Sequence, residues 1–181
     1  MNKTISPSKS ALQYGLLFGL IMIVEFAISY VFDIDPTTNK SYGVIVNILN
    51  FLLLPAGFIF LGVNNFKTKL NEGYVSFGES LKIGVTICIF AALLYAIFAA
   101  VFNMLVPEFT EEIIRKTRAV LIEQNPTMTT EQVDMAISWT RKFMSPALSI
   151  PVTIIMYAFL GLIYSLIIGA IAKNDRPQDY I

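Results

Sequence analysis

Four long apolar segments divide this chain, and they constrain its fold more than any other feature. They cover about residues 11–32, 42–63, 77–106 and 147–172. A helix rises about 1.5 Å per residue, so about 20 consecutive apolar residues suffice to cross the hydrocarbon core of a bilayer. Because each segment reaches that length, we predict an all-α protein: an integral membrane four-helix bundle that forms a single membrane domain over residues 1–181.

The overall composition argues against several classes of protein. Of the 181 residues, 55% are hydrophobic and 14% are charged, whereas soluble domains carry about 25% charged residues. This apolar composition makes the lipid bilayer the expected partner. The net charge is zero, so we expect no nucleic acid as a partner. The sequence has no histidine, and its single cysteine, Cys88, lies in an apolar segment. We therefore expect no metal site and no intrachain disulfide.

The charged insert at residues 107–146 is predicted to form an external helical hairpin between the third and fourth spans. Its first helix should cover residues 110–124 and end at the dipeptide Asn125-Pro126, since proline breaks a helix. Two acid–base pairs in this helix have the i,i+4 spacing that favours ion pairs: Glu111 with Arg115, and Glu112 with Lys116.

The second helix of the hairpin should cover residues 130–143 and begin at a capping box formed by Thr129 and Gln132. Two arrangements remain open for its apolar side chains. Trp139 and Phe143 either lie on the membrane surface, where aromatic rings are favoured, or pack against the first helix. In the second arrangement the contacts would be Ile113, Ile114, Val120 and Leu121.

Basic residues in the short segments predict the orientation. Four spans place both termini on one side, together with seven basic residues: Lys3, Lys9, Lys67, Lys69, Lys82, Lys173 and Arg176. The short loop on the other side carries Lys40. Short cytoplasmic segments are enriched in lysine and arginine, so we expect both termini in the cytoplasm. A cleaved signal peptide is the less favoured interpretation of the first segment, which is long for a signal and contains Glu25.

The residues before the third span carry a resemblance to a known family. They are Gly73, Ser76, Phe77, Gly78, Glu79, Leu81 and Gly84. In these residues, and in the order of its spans and insert, the chain resembles domain-of-unknown-function family 4199, bacterial membrane proteins found mainly in Bacteroidetes. The resemblance implies a four-span protein of the inner membrane. It implies no established activity and no catalytic residues.

Ser76 and Glu79 form the pattern of a capping box at the start of the third span. In such a box each side chain accepts a hydrogen bond from the backbone N–H of the other residue. Glu79 also interacts favourably with the positive end of the helix dipole. We favour this structural interpretation over a binding site for a cytoplasmic partner.

Small residues recur every four positions in the spans. Gly15 and Gly19 do so in the first span, and Gly161, Ser165 and Gly169 in the fourth. Such stripes let helix backbones approach closely in lipid. We favour packing inside one bundle over a dimer face, although a homo-oligomer remains open.

Glu25 is the strongest candidate for a site within the membrane. Insertion of a carboxylate costs about 2.5–3.5 kcal/mol, and twelve Leu, Ile, Val and Phe residues in the same segment return roughly 0.3–0.6 kcal/mol each. Asn47, Asn50 and Tyr157 lie at a similar predicted depth, and we expect Glu25 to hydrogen-bond to Asn47 or Asn50. A structural polar clamp is the favoured interpretation, and a proton- or solute-linked cavity is the alternative.

The sequence contains no recognised catalytic or cofactor-binding motif, so we expect neither an enzyme nor a cofactor. We therefore predict a non-enzymatic accessory or scaffold protein that acts by helix packing and partner association. The partner would be a second copy of the chain or another membrane protein. A small transporter or channel that uses the polar cluster around Glu25 is the alternative.

Overall fold

A computed structural model describes residues 6–34 and 39–177. Lys3 of the orientation argument lies outside these residues. The helices are α1 (Pro7–Val31), α2 (Lys40–Ile48), α3 (Leu54–Asn65), α4 (Phe77–Leu105), α5 (Pro107–Gln124), α6 (Thr130–Met144) and α7 (Pro146–Ala172). Two π-helical segments, Leu49–Leu53 and Phe66–Leu70, follow α2 and α3 without a break in the helix.

Four helical stretches are long and apolar enough to cross a membrane: Pro7–Val31, Lys40–Leu70, Phe77–Leu105 and Pro146–Ala172. The prediction of an all-α protein with four candidate spans is confirmed. Large apolar side chains on these helices are exposed, as expected for surfaces that face lipid. Examples are Leu17, Val44, Phe60, Phe159 and Ile171.

The second stretch is longer than predicted, since it ends at Leu70 and not near residue 63. The polar residues beyond the apolar segment still support helical hydrogen bonding, and the Thr68 hydroxyl donates to the Asn64 carbonyl at 2.8 Å. The helix therefore continues until the chain turns at Glu72 and Gly73, whose φ angles are 54° and 88°. A positive φ ends a helix, and glycine adopts it without strain.

The first span also begins earlier than predicted, at Pro7 and not at residue 11. Ser6 caps this helix and accepts a hydrogen bond from the Lys9 N–H at 3.3 Å. Proline suits the first turn because no intrahelical partner is needed for its missing N–H. A cap, and not the onset of hydrophobicity, therefore determines where the helix starts.

The chain divides into two compact units. The first comprises residues 6–34, 39–95 and 154–177 of the described chain, and the second comprises residues 96–153. The boundaries fall within α4 and α7.

In the first unit, α1 packs against α4 through its two predicted glycines. A Cβ atom on Gly15 would lie 2.9 Å from the Ile87 carbonyl oxygen, and one on Gly19 would lie 3.0 Å from the Ala91 carbonyl oxygen. Real Cβ atoms essentially never come as close as the first distance and rarely as close as the second, so glycine is the residue that fits best at both positions. These glycines thus bring the α1 backbone into contact with α4.

The α7 stripe packs on another part of α4. A Cβ atom on Gly161 would lie 2.9 Å from Cys88 Cβ, and one on Gly169 would lie 3.0 Å from Ser80 Cβ. Between them Ser165 is fully buried, and its hydroxyl donates to the Gly161 carbonyl at 2.5 Å. Both predicted stripes therefore contact α4 of the same chain.

The second stretch is distorted where Pro55 follows the first π-helical segment. In an α-helix the Phe51 carbonyl would accept the N–H of residue 55, but proline has none. The Tyr164 hydroxyl of α7 donates to that carbonyl at 2.8 Å. A side chain from another span thus satisfies the acceptor that proline leaves open, as is expected inside a membrane.

In the second unit, α5 and α6 pair as the predicted helical hairpin. Val133 and Ile137 of α6 are buried against Ile114 and Leu121 of α5. Thr129 and Gln132 form the predicted capping box. The first helix starts at Pro107 and not at residue 110, because proline is favoured in a first helical turn.

Ion pairs also join the two helices of the hairpin. Arg118 contacts Asp134 at 2.5 Å, and Arg141 contacts Glu111 through both terminal nitrogens of its guanidinium group. The predicted partner of Glu111 is therefore wrong, because a bidentate contact across helices replaces the i,i+4 pair. The hydrogen-bonded Arg141 guanidinium lowers the pKa of the Glu111 carboxyl below its usual range. The predicted pair of Glu112 with Lys116 is present at 2.7 Å.

Replacing Gly84 of α4 with alanine should destabilise the protein. The new Cβ would lie 1.8 Å from Ser165 Oγ and 2.9 Å from Ile59 Cγ2. Overpacking of this kind costs about 1–3 kcal/mol, which outweighs the gain of about 1 kcal/mol in helix propensity. The thermal midpoint of the purified protein should fall, and it should fall less when Gly84→Ala is made in a Ser165→Gly background.

Gly57→Ala is the matched control, because nothing lies within 4 Å of the Cβ it would add. It should leave the midpoint unchanged or raise it. Equal midpoints for wild type and Gly84→Ala would contradict the close contact between α4 and α7.

Tyr164→Phe should lower the free energy of unfolding by about 0.6–1.7 kcal/mol, the range found for hydrogen bonds between membrane helices. The loss should shrink in a Pro55→Ala background, because residue 55 then has its own N–H for the Phe51 carbonyl. A double-mutant cycle of unfolding free energies measures this coupling. Tyr14→Phe is the control, since the Tyr14 hydroxyl has no partner among the described residues. A Tyr164→Phe loss that Pro55→Ala does not change would show that the tyrosine does not replace the proline's missing donor.

Candidate functional site

The polar site predicted around Glu25 is formed by α1 and the first π-helical segment. Asn50 Nδ2 donates to Glu25 Oε2 at 2.6 Å and to the Val46 carbonyl at 3.2 Å. The same amide group therefore bonds to its own helix and to the carboxylate on the neighbouring helix. This contact joins the first and second spans within the first unit.

Two oxygen atoms of this pair lack hydrogen-bond partners. Among the described residues, Glu25 Oε1 and Asn50 Oδ1 are the buried side-chain polar atoms without a donor. Leaving a buried acceptor unsatisfied costs about 1–3 kcal/mol, and more for a charged group. The pair is therefore incomplete in one specific respect: it has acceptors to spare and no donor for them.

Asn50, and not Asn47, is the residue that meets Glu25. Asn47 lies in α2 and is exposed, whereas Asn50 lies in the π-helical segment and is partly buried. The Leu49 N–H still bonds to the Ile45 carbonyl, as in an α-helix, and the Leu54 N–H bonds to the Leu49 carbonyl, as in a π-helix.

Tyr157, the fourth predicted member of the cluster, lies among aromatic rings. It is buried, and its ring centroid is 6.0 Å from that of Phe18 in an edge-on contact. The Phe51 ring lies 6.1 Å away on another side. The structure therefore joins Glu25 to Asn50 by a hydrogen bond and places Tyr157 in the apolar core.

Ser29 and Tyr42 form a second polar contact between the first two spans. The Ser29 hydroxyl lies one turn beyond Glu25, bonds to the Glu25 carbonyl at 2.9 Å and is paired with the Tyr42 hydroxyl. These hydroxyls are therefore engaged and leave no free polar group of their own. Sequence reasoning missed this pair, although the i,i+4 spacing of Glu25 and Ser29 places both on the same face of α1.

An apolar crevice of about 320 Å³ lies beside the Glu25 side chain, between α1 and the second span. Glu25 and Tyr42 are the polar residues in its wall. Because the Tyr42 hydroxyl is engaged with Ser29, Glu25 is the remaining polar group. The rest of the wall is aliphatic and consists of Ile21, Val24, Ile28, Ile45, Val46, Leu49 and Leu54.

The second candidate motif, Ser76 with Glu79, forms a reciprocal capping box. The Ser76 N–H donates to Glu79 Oε2 at 2.8 Å, and the Glu79 N–H donates to Ser76 Oγ at 3.2 Å. The Ser76 hydroxyl also donates to the same carboxylate oxygen at 3.0 Å. These contacts satisfy two free donors at the start of α4, which is what the structural interpretation expects.

The loop before this cap is bonded to the end of the described chain. Val75 and Asn174 exchange two backbone hydrogen bonds of 2.9 Å, and Val75 is fully buried. Arg176 forms an ion pair with Glu72 at 3.0 Å, and Lys67 Nζ donates to the Ala172 carbonyl at 2.9 Å. No motif in the sequence signals this contact, because it joins residues about 100 positions apart in extended backbone.

Comparison with known proteins places the chain in a family. The model of a family of proteins of unknown function, DUF4199, matches residues 13–174. This range includes Glu25, Asn50, the Ser76–Glu79 cap and Asn174. Searches of curated proteins and of solved structures gave no match. The match confirms the resemblance carried by the residues before α4, and the chain belongs to the DUF4199 family of proteins of unknown function.

Proposed function

We propose that this membrane protein is non-enzymatic and acts as a small transporter or carrier that binds a solute at Glu25 and Asn50. The observation that carries the proposal is the pair of buried acceptor oxygens without donors. Glu25, which carries one of them, lines an apolar crevice. A solute that supplies hydrogen-bond donors would complete the pair.

A purely structural clamp explains the site less well. A clamp stabilises helix packing when its polar groups satisfy each other, and a half-satisfied pair is worse than an apolar contact. Here the single contact of 2.6 Å between Asn50 Nδ2 and Glu25 Oε2 leaves one oxygen on each side chain unpaired. Intramembrane carboxylates commonly mark solute or ion pathways, which supports a binding role.

The test is to identify what the protein retains when it is purified from its native membrane. Wild type should carry a small molecule, detectable by mass spectrometry of an extract, and Glu25→Gln should carry at least ten-fold less of it. The same molecule should cross the membrane of liposomes that contain wild-type protein and not of liposomes that contain the variant. Glu108→Gln, an exposed carboxylate in α5, is the control. Identical extracts from wild type and Glu25→Gln would contradict the proposal.

The second unit favours a second candidate function, that of an accessory or scaffold protein. Met135, Trp139 and Phe143 follow one another at i,i+4 spacing on α6, and each is more than half exposed. Lys142 Nζ lies 4.7 Å from the centre of the Trp139 ring. Val133 and Ile137 already fill the contact with α5. The stripe of Met135, Trp139 and Phe143 is therefore available to a membrane protein partner or a second copy of the chain.

The orientation of the spans is part of the same proposal. The Val75–Asn174 contact joins the start of α4 to the end of α7, so both ends lie on one side. Basic residues gather there: Lys67, Lys69, Lys82, Lys173 and Arg176. This distribution supports an inner-membrane protein with both termini in the cytoplasm and the hairpin outside.

One experiment tests both the association and the orientation. In a Cys88→Ala background, Trp139→Cys is labelled in intact cells with a membrane-impermeant maleimide that carries a photo-crosslinker. We expect labelling and a cross-linked complex. Ser138→Cys, an exposed neighbour outside the stripe, should be labelled without forming the complex. Labelling only after permeabilisation would overturn the orientation, and labelling of Trp139→Cys without a complex would overturn the accessory function.

A further inference from the structure

The crevice beside Glu25 opens through side chains that face outward. Ile21, Val24, Ile28 and Ile45 line it, and each of them is exposed on its helix. In a membrane-spanning segment such side chains face acyl chains. A ligand of this crevice would therefore enter from the bilayer, and its apolar part would lie against aliphatic walls.

The polar end of the crevice specifies the head group of such a ligand. Among the described residues, the side-chain partner of Glu25 is a neutral amide, and no basic side chain pairs with the carboxylate. A carboxylate in the membrane requires a counter-charge or a proton. The two unpaired oxygens require hydrogen-bond donors as well. A ligand group that combines positive charge with N–H or O–H bonds would meet both requirements.

A primary ammonium group meets both requirements. It carries one positive charge and three donors, so it could neutralise the Glu25 carboxylate and bond to Glu25 Oε1. A hydroxyl has no charge and one donor, and a quaternary ammonium has charge and no donor. Bare metal cations such as Ca²⁺ require six to eight oxygen ligands, and the pair leaves two oxygens unengaged.

We propose that this crevice binds a lipophilic primary amine, with the ammonium group on the Glu25 carboxylate and the alkyl chain along the aliphatic wall. Glu25 Oε1 is buried, so the Glu25 side chain rotates toward the crevice when the amine enters. The charge on the carboxylate is then neutralised by the ligand, and Glu25 Oε1 gains a donor. This inference rests on the proposed solute-binding function and names its chemical class.

The test uses three probes with the same alkyl chain: dodecylamine, dodecyltrimethylammonium and dodecanol. Binding of radiolabelled dodecylamine is measured on protein in phosphatidylcholine nanodiscs, with empty nanodiscs subtracted. Wild type should bind it saturably, and Glu25→Gln at least ten-fold more weakly. The unlabelled quaternary cation and the alcohol should each compete at least ten-fold less well than unlabelled dodecylamine.

A second variant keeps the test decisive if Glu25→Gln misfolds. Ile45→Trp adds bulk to the crevice wall without removing either polar partner, and it should also weaken binding at least ten-fold. Glu108→Gln should bind as wild type does. Thermal midpoints of all variants in the same nanodiscs show whether the fold is retained.

The outcomes separate this inference from the proposed function. If dodecanol competes as well as dodecylamine and both depend on Glu25, the site recognises hydrogen-bond donors without regard to charge. The amine class is then overturned, while solute binding stands. Saturable binding that survives both Glu25→Gln and Ile45→Trp places the amine elsewhere and overturns the inference. If no probe binds wild type saturably, the amine class is overturned. The proposed solute-binding function is then tested separately, by mass spectrometry of the extract from native membranes.

Discussion

The first unit depends on the close approach of three helices to α4. Lipid offers no hydrophobic driving force between helices, so packing in a membrane relies on van der Waals contact over short distances. Gly15 and Gly19 on α1 allow that contact at one part of α4, and Gly161 and Gly169 on α7 allow it at another. Gly62 brings α3 to Ile83 and Ile87 in the same way. Because α4 is shared by all three contacts, a shift of this helix would disturb every one of them.

Among the described residues, the π-helical segments lie in the second stretch. Pro55 interrupts its hydrogen bonding, and one of these segments, Leu49–Leu53, lies just before it. Tyr164 satisfies the Phe51 carbonyl, and Asn50 of the π-helical segment bonds to Glu25. The open acceptor at Phe51 thus has a local cause in proline chemistry. π-Helical segments often occur at functional sites, and this one carries half of the polar pair at which we propose a ligand site.

Periodicity and composition predicted the large features because these follow from local chemistry. The length of the apolar segments predicted the four spans. Small residues at i,i+4 spacing predicted the packing faces of α1 and α7, and capping patterns predicted where α4 and α6 begin. Ser80, Gly84 and Cys88 of α4 also lie four residues apart, and they contact the small residues of α7. Their small size, and not their polarity, is what the neighbouring α7 requires.

The features that could not be predicted depend on three-dimensional placement. The sequence leaves the choice between Asn47 and Asn50 open, because it does not show which of these side chains faces α1. The Val75–Asn174 contact joins two segments distant in sequence through backbone groups, which every residue possesses. The change of partner by Glu111, from Arg115 to Arg141, depends on the pairing of α5 with α6. In the case of Glu111, a tertiary contact replaced a local preference of a few tenths of a kcal/mol.

The polar groups of the spans differ in how completely they are satisfied, and this difference singles out one site. Ser165 donates within its own helix, Tyr164 serves the Phe51 carbonyl, and Ser29 and Tyr42 serve each other. Glu25 and Asn50 alone, among the described residues, keep buried acceptors without donors. An aliphatic side chain at position 25 would avoid an insertion cost of about 2.5–3.5 kcal/mol. Departures of this size from stable packing are expected at functional sites, which supports the proposed ligand site in the crevice at Glu25.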